Sequence, residues 1–241
     1  MKLIYNNILR AISEEKKSLA VLIDPDKMAV EMASEFIKKV NQSIATHIFV
    51  GGSTVHDNAT EALVIEIKTH TTLPVVLFPG DVSQITNHAD AILFLSLISG
   101  DNPEYLIGKH VRAVSKLRDS ELEVIPTGYL LIENGKQTAV EKVTQTTPLS
   151  RNSAQEIVDT AKAGELLGLQ LIYLEAGSGA RQPVPLEIIS FVKQELNIPL
   201  IVGGGIRTKK QLEAAHHFGA DLVVIGTAFE DDEAFFNELK K

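Results

Sequence analysis

Eight short apolar runs alternating with charged helical stretches, glycine-rich turns gathered at the last strand ends, and the lack of any linker predict one α/β domain, a (β/α)8 TIM barrel over residues 1–241. The apolar runs are Leu19–Ile23, His47–Val50, Pro74–Phe78, Ala91–Leu95, Glu123–Pro126, Leu171–Leu174, Pro199–Val202 and Asp221–Ile225. They are continuous and rich in Val, Ile and Leu, the pattern of parallel strands covered on both faces. Helical patterns lie between most of them, at Glu31–Val40, Asn58–Lys68, Pro103–Leu117, Ala154–Leu167, Pro185–Leu196 and Lys209–His217. A doubly wound open sheet is the structural competitor, but its phosphate loop follows the first strand. Here that strand ends Ile23-Asp24-Pro25-Asp26, without a glycine-rich loop.

One connection is long: Tyr129–Asn152, rich in Thr, Gln and Glu. A loop of that length in a compact domain is usually functional, so it reads as a lid or pocket wall, with a surface excursion as the alternative.

Composition narrows the function. The net charge of −8 and the absence of a basic face argue against nucleic acid as a partner. With no cysteine there is no disulfide framework, no thiolate nucleophile and no cysteine metal site. No apolar run approaches the roughly 18–20 residues needed to span a bilayer. The start, Met1-Lys2-Leu3-Ile4-Tyr5-Asn6, lacks a signal-peptide core. A soluble, cytoplasmic protein is expected.

In a barrel of this kind, function sits at the C-terminal strand ends. The sixth strand ends Tyr173-Leu174-Glu175-Ala176-Gly177-Ser178-Gly179-Ala180, the seventh Gly203-Gly204-Gly205-Ile206-Arg207 before a helix, and the eighth Gly226-Thr227-Ala228. Glycines there let the backbone approach an anion, and the N–H groups of a helix start favour its charge. A phosphate site at the last three strand ends follows. Glu175, flanked by apolar residues, suits a general base with a pKa raised by burial; a structural carboxylate bonded to a loop is the other reading. Tyr173 is two residues away and points the same way.

Across the mouth, the first strand delivers Asp24 and Asp26, and the second Gly51-Gly52-Ser53-Thr54. A carboxylate plus a hydroxyl suits Mg²⁺, which keeps several waters and takes further ligands from substrate phosphates. Asp26 reads instead as a helix cap for the Lys27–Val40 segment. Phe78, Phe94, Leu95, Leu97 and Ile98 stand where they can line an apolar groove, or else serve as ordinary core.

In order along the chain, Asp24-Pro25-Asp26-Lys27, Gly51-Gly52-Ser53, Leu95-Ser96-Leu97-Ile98-Ser99-Gly100-Asp101-Asn102-Pro103, Tyr173 through Gly179, Gly203 through Arg207 and Gly226-Thr227 resemble the geranylgeranylglyceryl phosphate synthase family. The resemblance runs from about Leu19 to Phe229. The tyrosine–glutamate–glycine stretch discriminates most, since the triple glycine is shared with many phosphate-binding barrels. It implies a prenyltransferase that joins a prenyl diphosphate to the primary hydroxyl of sn-glycerol-1-phosphate and releases pyrophosphate. By position, Asp24 and Ser53 would hold Mg²⁺. Tyr173, Leu174, Glu175, Ala176, Gly177, Ser178, Gly179, Gly204, Gly205, Gly226 and Thr227 would hold glycerol phosphate, with Glu175 accepting the hydroxyl proton. Heptaprenyl-type bacterial members carry a lysine two residues before the metal aspartate. Leu22 stands there, so the chain is similar to the larger subgroup with archaeal and some bacterial members.

The resemblance further implies a homo-oligomer, dimer or hexamer, with at most transient peripheral membrane contact because the product is a lipid. Two other readings stay open. A phosphosugar isomerase or lyase would use Asp24 as an acid–base group without metal, and a non-enzymatic phosphometabolite-binding barrel is possible for any superfold.

Overall fold

A computed structural model describes residues 3–53, 55 and 59–241. Thr54 and Asn58, which the strand-two turn and the second helical pattern include, lie outside the described residues. Eight parallel strands, β1 (Ser18–Ile23), β2 (His47–Val50), β3 (Val75–Leu77), β4 (Ala91–Leu97), β5 (Glu123–Leu131), β6 (Leu171–Glu175), β7 (Leu200–Gly203) and β8 (Leu222–Ile225), close into a barrel in chain order. Closure is made by β8 on β1, from Ser18 beside Leu222 to Val21 beside Ile225.

Strand side chains alternate between two apolar clusters, as a period of two requires. Ala20, Phe49, Val76, Leu93, Leu97, Ile125, Tyr129, Leu171, Tyr173, Ile201, Leu222 and Val224 fill the interior. Leu19, Val21, Ile23, Ile48, Val50, Leu77, Ile172, Leu174, Val202 and Ile225 face the helices. The helical shell comprises α2 (Ala33–Gln42), α3 (Ala59–His70), α4 (Lys109–Leu117), α6 (Ala154–Leu166), α7 (Leu186–Glu195) and α8 (Lys209–His217). A short α9 (Thr227–Asp231) follows β8.

The first helix, α1 (Leu3–Ser13), has a different task. Its Ile4 and Ile8, one turn apart, join the interior cluster, so the helix plugs the N-terminal end of the barrel. The carboxylate of Glu123, at the start of β5, accepts the backbone N–H groups of Ile4 and Tyr5 at 2.6 and 2.9 Å. These donors would otherwise go unpaired in a first helical turn.

One expected boundary is corrected and two connections gain detail. First, β5 runs on to Leu131 instead of stopping at Pro126, and β4 reaches Leu97 with it, in register from Ala91 beside Glu123 to Leu97 beside Tyr129. Pro126 lacks an N–H but its carbonyl still accepts from Gln170 at 2.8 Å, so the ladder continues through it. Tyr129 is therefore a strand residue. Second, the rest of the long connection is tied down: Leu149 donates to the Leu131 carbonyl and Glu133 to the Leu149 carbonyl, both at 2.9 Å. It carries α5 (Ala139–Thr144), whose start is closed by reciprocal bonds between Thr138 and Glu141. Third, the Pro103–Leu117 helix opens with a wide π-helical turn over Glu104–Gly108 before α4 begins. Such turns frequently mark functional sites.

Asp26 is exposed and does not cap α2, which a short 3-10 turn, Val30–Met32, precedes. The local capping is done by Asp24, whose carboxylate accepts the Asp26 N–H at 3.1 Å.

Candidate active site

The C-terminal mouth gathers the residues singled out above. β6 ends with Tyr173 and Glu175 on the interior side, both buried. Glu175 lies beside Gly203 in the β6–β7 register, and its Oε1 accepts the Gly177 N–H at 2.5 Å. Burial pushes the Glu175 carboxyl up to about 7, with Tyr173 and the Gly177 N–H acting in the opposite direction. A carboxyl that titrates near neutrality is suited to take a proton.

Gly204 shows why this turn needs glycine. Its φ is +81°, and a Cβ there would lie 2.3 Å from Glu175 Oε1 and 2.7 Å from the Gly177 nitrogen. The β6 and β7 turns thus touch through backbone alone. Leu174 faces the helical shell and Ala176 is buried beside it. Ser178 is exposed, while Gly179, Gly205, Gly226 and Thr227 are half-buried around the rim. Leu22 backs Gly226, 3.4 Å from where its Cβ would stand.

The Tyr173 ring meets Phe78 at 5.3 Å and Tyr129 at 5.4 Å between centroids. Its hydroxyl is buried and faces the Glu175 carboxyl. Burial, and then the Glu175 charge, hold both phenols well above their usual range, so they stay neutral donors.

Beyond the aromatic rings an apolar pocket opens. Phe78, Phe94, Leu95 and Leu97 line it as expected, together with Tyr129, Tyr105 and the α5 residues Val140 and Val143. The long connection is a pocket wall in this sense. Ile98 is the exception: its Cδ1 reaches the Gly164 and Gly128 backbone, so it packs between barrel and α6. It lies just past the end of β4, while residues of both parities within the strand, Phe94 as well as Leu93, Leu95 and Leu97, reach the pocket.

Sequence reading did not name several of the lining groups. Tyr129 was hidden by ending the strand at Pro126. Lys109, at the start of α4, donates to the Gly80 carbonyl at 2.8 Å and the Asp81 carboxylate at 2.6 Å. Burial raises the Asp81 carboxyl, but the Lys109 bond and backbone donors outweigh it and leave the group below its ordinary value. His110 bonds Ser96 at 3.1 Å and packs edge-on to Phe94; burial lowers its pKa, leaving it neutral. A helix-start lysine or histidine carries no local signal of what it will face.

On the far side of the mouth, Asp24 and the Gly52–Ser53 turn meet. A Cβ at Gly52 would stand 2.9 Å from Asp24 Oδ1, so only glycine leaves that oxygen clear. Lys27 lies 3.6 Å from Asp24 Oδ2 but bonds Glu230 more closely, at 2.8 Å. Among the described residues no group of three or more His, Cys, Asp or Glu side chains could hold a metal. The oxygen donors of Asp24 and Ser53 fit a hard cation that completes its shell with water and substrate oxygens.

A closed parallel barrel with a buried, near-neutral carboxylate between glycine turns and an apolar pocket defines the class: an enzyme of the (β/α)8 type, with its site at the strand C-termini. Comparison with known proteins is more specific. A profile of the PcrB family matches residues 10–241. The chain is 55% identical over 234 residues to the geranylgeranylglyceryl phosphate synthase of Flavobacterium johnsoniae, covering 97% of this chain and 96% of that protein. It is 57% identical over 233 residues to the enzyme of the same name from Zunongwangia profunda, covering 97% and 99%. The crystal structure of (S)-3-O-geranylgeranylglyceryl phosphate synthase from Thermoplasma acidophilum in complex with sn-glycerol-1-phosphate superposes with a TM-score of 0.92 at 34% identity, over 99% of this chain and 96% of that one. The chain belongs to the PcrB family, alongside the geranylgeranylglyceryl phosphate synthases that its motifs resemble.

Proposed function

We propose that this enzyme forms an ether between sn-glycerol-1-phosphate and geranylgeranyl diphosphate, releasing pyrophosphate. The observation that carries the reading is Glu175, buried at the end of β6 against Gly177 and Gly204, its carboxyl pushed up to about 7 by burial. Glycerol phosphate binds through Tyr173–Gly179, Gly204, Gly205, Gly226 and Thr227, with turn N–H groups facing the phosphate. The isoprenoid tail occupies the pocket of Phe78, Phe94, Leu95 and Leu97. Glu175 takes the proton of the glycerol hydroxyl. That oxygen's electron pair forms the new bond to the allylic carbon, and the old carbon–oxygen bond breaks toward pyrophosphate. Tyr173 keeps its own proton and orients the hydroxyl or phosphate. Asp24 and Ser53 hold Mg²⁺, which when bound neutralises charge on the leaving group.

A small phosphosugar has no use for so apolar a cleft, which favours the prenyl reading over an isomerase. No helix among the described residues is long and apolar enough to cross a membrane. We place the enzyme in the cytoplasm, with transient peripheral lipid contact because its proposed product is a lipid; tight, salt-resistant vesicle flotation would contradict it. A homo-oligomer, dimer or hexamer, is proposed from the exposed Ile107, Val111 and Val114, which recur along one side of α4 and the turn before it.

The test is direct. Labelled geranylgeranyl diphosphate, Mg²⁺ and either enantiomer of glycerol phosphate are incubated with the protein, and label is counted in extracted phospholipid. Product from sn-glycerol-1-phosphate alone, lost with EDTA and in Asp24→Asn, is expected. No product at any prenyl chain length would sink the synthase reading.

A further inference from the structure

Charge is scarce in the apolar pocket. Among the described lining residues, Lys109 is the fixed cation and Asp81 the carboxylate, and the two form one ion pair at 2.6 Å. The Lys109 side chain is only 17% exposed, and its ammonium stands 4.6 Å from the Tyr105 ring centroid. Its position is set by Gly80. That residue accepts one Lys109 N–H, and a Cβ there would lie 2.5 Å from the Gly52 carbonyl and 2.9 Å from Ser53 Cα. The ammonium is thereby held where the apolar pocket ends and the oxygen-rich Gly52–Ser53 turn begins. Two of its three protons go to Gly80 and Asp81, and no further acceptor for the third is seen among the described residues.

We propose that Lys109 is a diphosphate-binding residue, contacting phosphate oxygens of the prenyl diphosphate and of the departing pyrophosphate while the Gly80 carbonyl aims it. This rests on the synthase reading for the prenyl substrate. The chemistry is matched: a pocket for an isoprenoid tail needs a cation where the tail becomes a polyanion, and negative charge grows on the leaving group as its bond breaks. The competing account makes the Lys109–Asp81 pair a latch that ties α4 to the loop after β3.

Two variants separate these accounts. Lys109→Gln keeps N–H donors for Gly80 and Asp81 but removes the charge. Asp81→Asn breaks the ion pair but keeps the cation. Inorganic pyrophosphate is titrated calorimetrically into each protein in MgCl₂, KM is measured for both substrates, and thermal melts confirm folding. Loss of one charge-assisted hydrogen bond predicts that Lys109→Gln weakens pyrophosphate binding, and raises KM for geranylgeranyl diphosphate, by about 10-fold or more. KM for glycerol phosphate stays within about twofold, Asp81→Asn stays within about threefold of wild type throughout, and Lys109→Arg recovers part of the loss. Equal losses in Lys109→Gln and Asp81→Asn, or unchanged pyrophosphate binding in Lys109→Gln, would overturn the proposal. If the wild-type protein made no prenylated product, the synthase reading would fall, while the pyrophosphate titration would still decide whether Lys109 binds the anion.

Discussion

Glu175 and Gly177 form one rigid unit: the carboxylate accepts the N–H two residues on at 2.5 Å, so the proposed base and the proposed phosphate turn cannot move independently. Gly204 seals the unit from β7 with no side chain between.

Glu175→Gln is expected to abolish product formation while stabilising the protein at alkaline pH. The folded pKa, about 7, lies above the ordinary carboxyl value of 4.5. Stability from this group is therefore fully present below pH 4.5 and lost as pH rises through 7, by about 3 kcal/mol in the limit. Melts at pH 6 and 9 check it: wild type should lose stability between them by more than the variant. The same titration predicts that activity rises with pH through about 7.

Gly204→Ala places a methyl 2.3 Å from Glu175 Oε1 at a φ of +81°. Backbone strain of about 1–3 kcal/mol and displacement of the carboxylate should follow. Denaturant unfolding should show the loss, and KM for glycerol phosphate should rise in whatever folds. A variant indistinguishable from wild type would remove the β6–β7 contact from the site.

His47, buried at the start of β2, has its pKa lowered by burial to about 4 from an ordinary 6.5. Above pH 6.5 it is neutral in both states and contributes no pH dependence. As pH falls from 6.5 toward 4 the unfolded chain takes a proton that the folded one refuses, and stability drops by up to about 3 kcal/mol. His47→Phe should flatten that part of the curve of stability against pH.

Ile8→Ala should cost about 2–5 kcal/mol, because a fully enclosed side chain leaves a cavity in the barrel floor. Turnover at a temperature where the variant is folded should be unchanged, since α1 lies at the end opposite the mouth. A fall in turnover without a fall in melting temperature would show that the plug communicates with the site.

Sequence by itself determined the strand count, their parallel order and the clustering of Tyr173, Glu175 and the late glycines at one end. Local period and turn chemistry carry that information, and a barrel sends every strand end to the same face. What tertiary structure alone decided depends on neighbours distant in the chain. Pro126 stays in a strand because β4 and β6 hold it from both sides, which turns Tyr129 into a pocket residue. The Thr138–Glu141 turn becomes a wall because Leu149 returns to β5. Ile98 leaves the groove because it packs against Gly128 and Gly164 under α6. Lys109 finds Gly80 and Asp81 only once α4 packs beside β3. Leu3–Ser13 becomes a plug only once the barrel closes and leaves an apolar floor for Ile4 and Ile8 to fill.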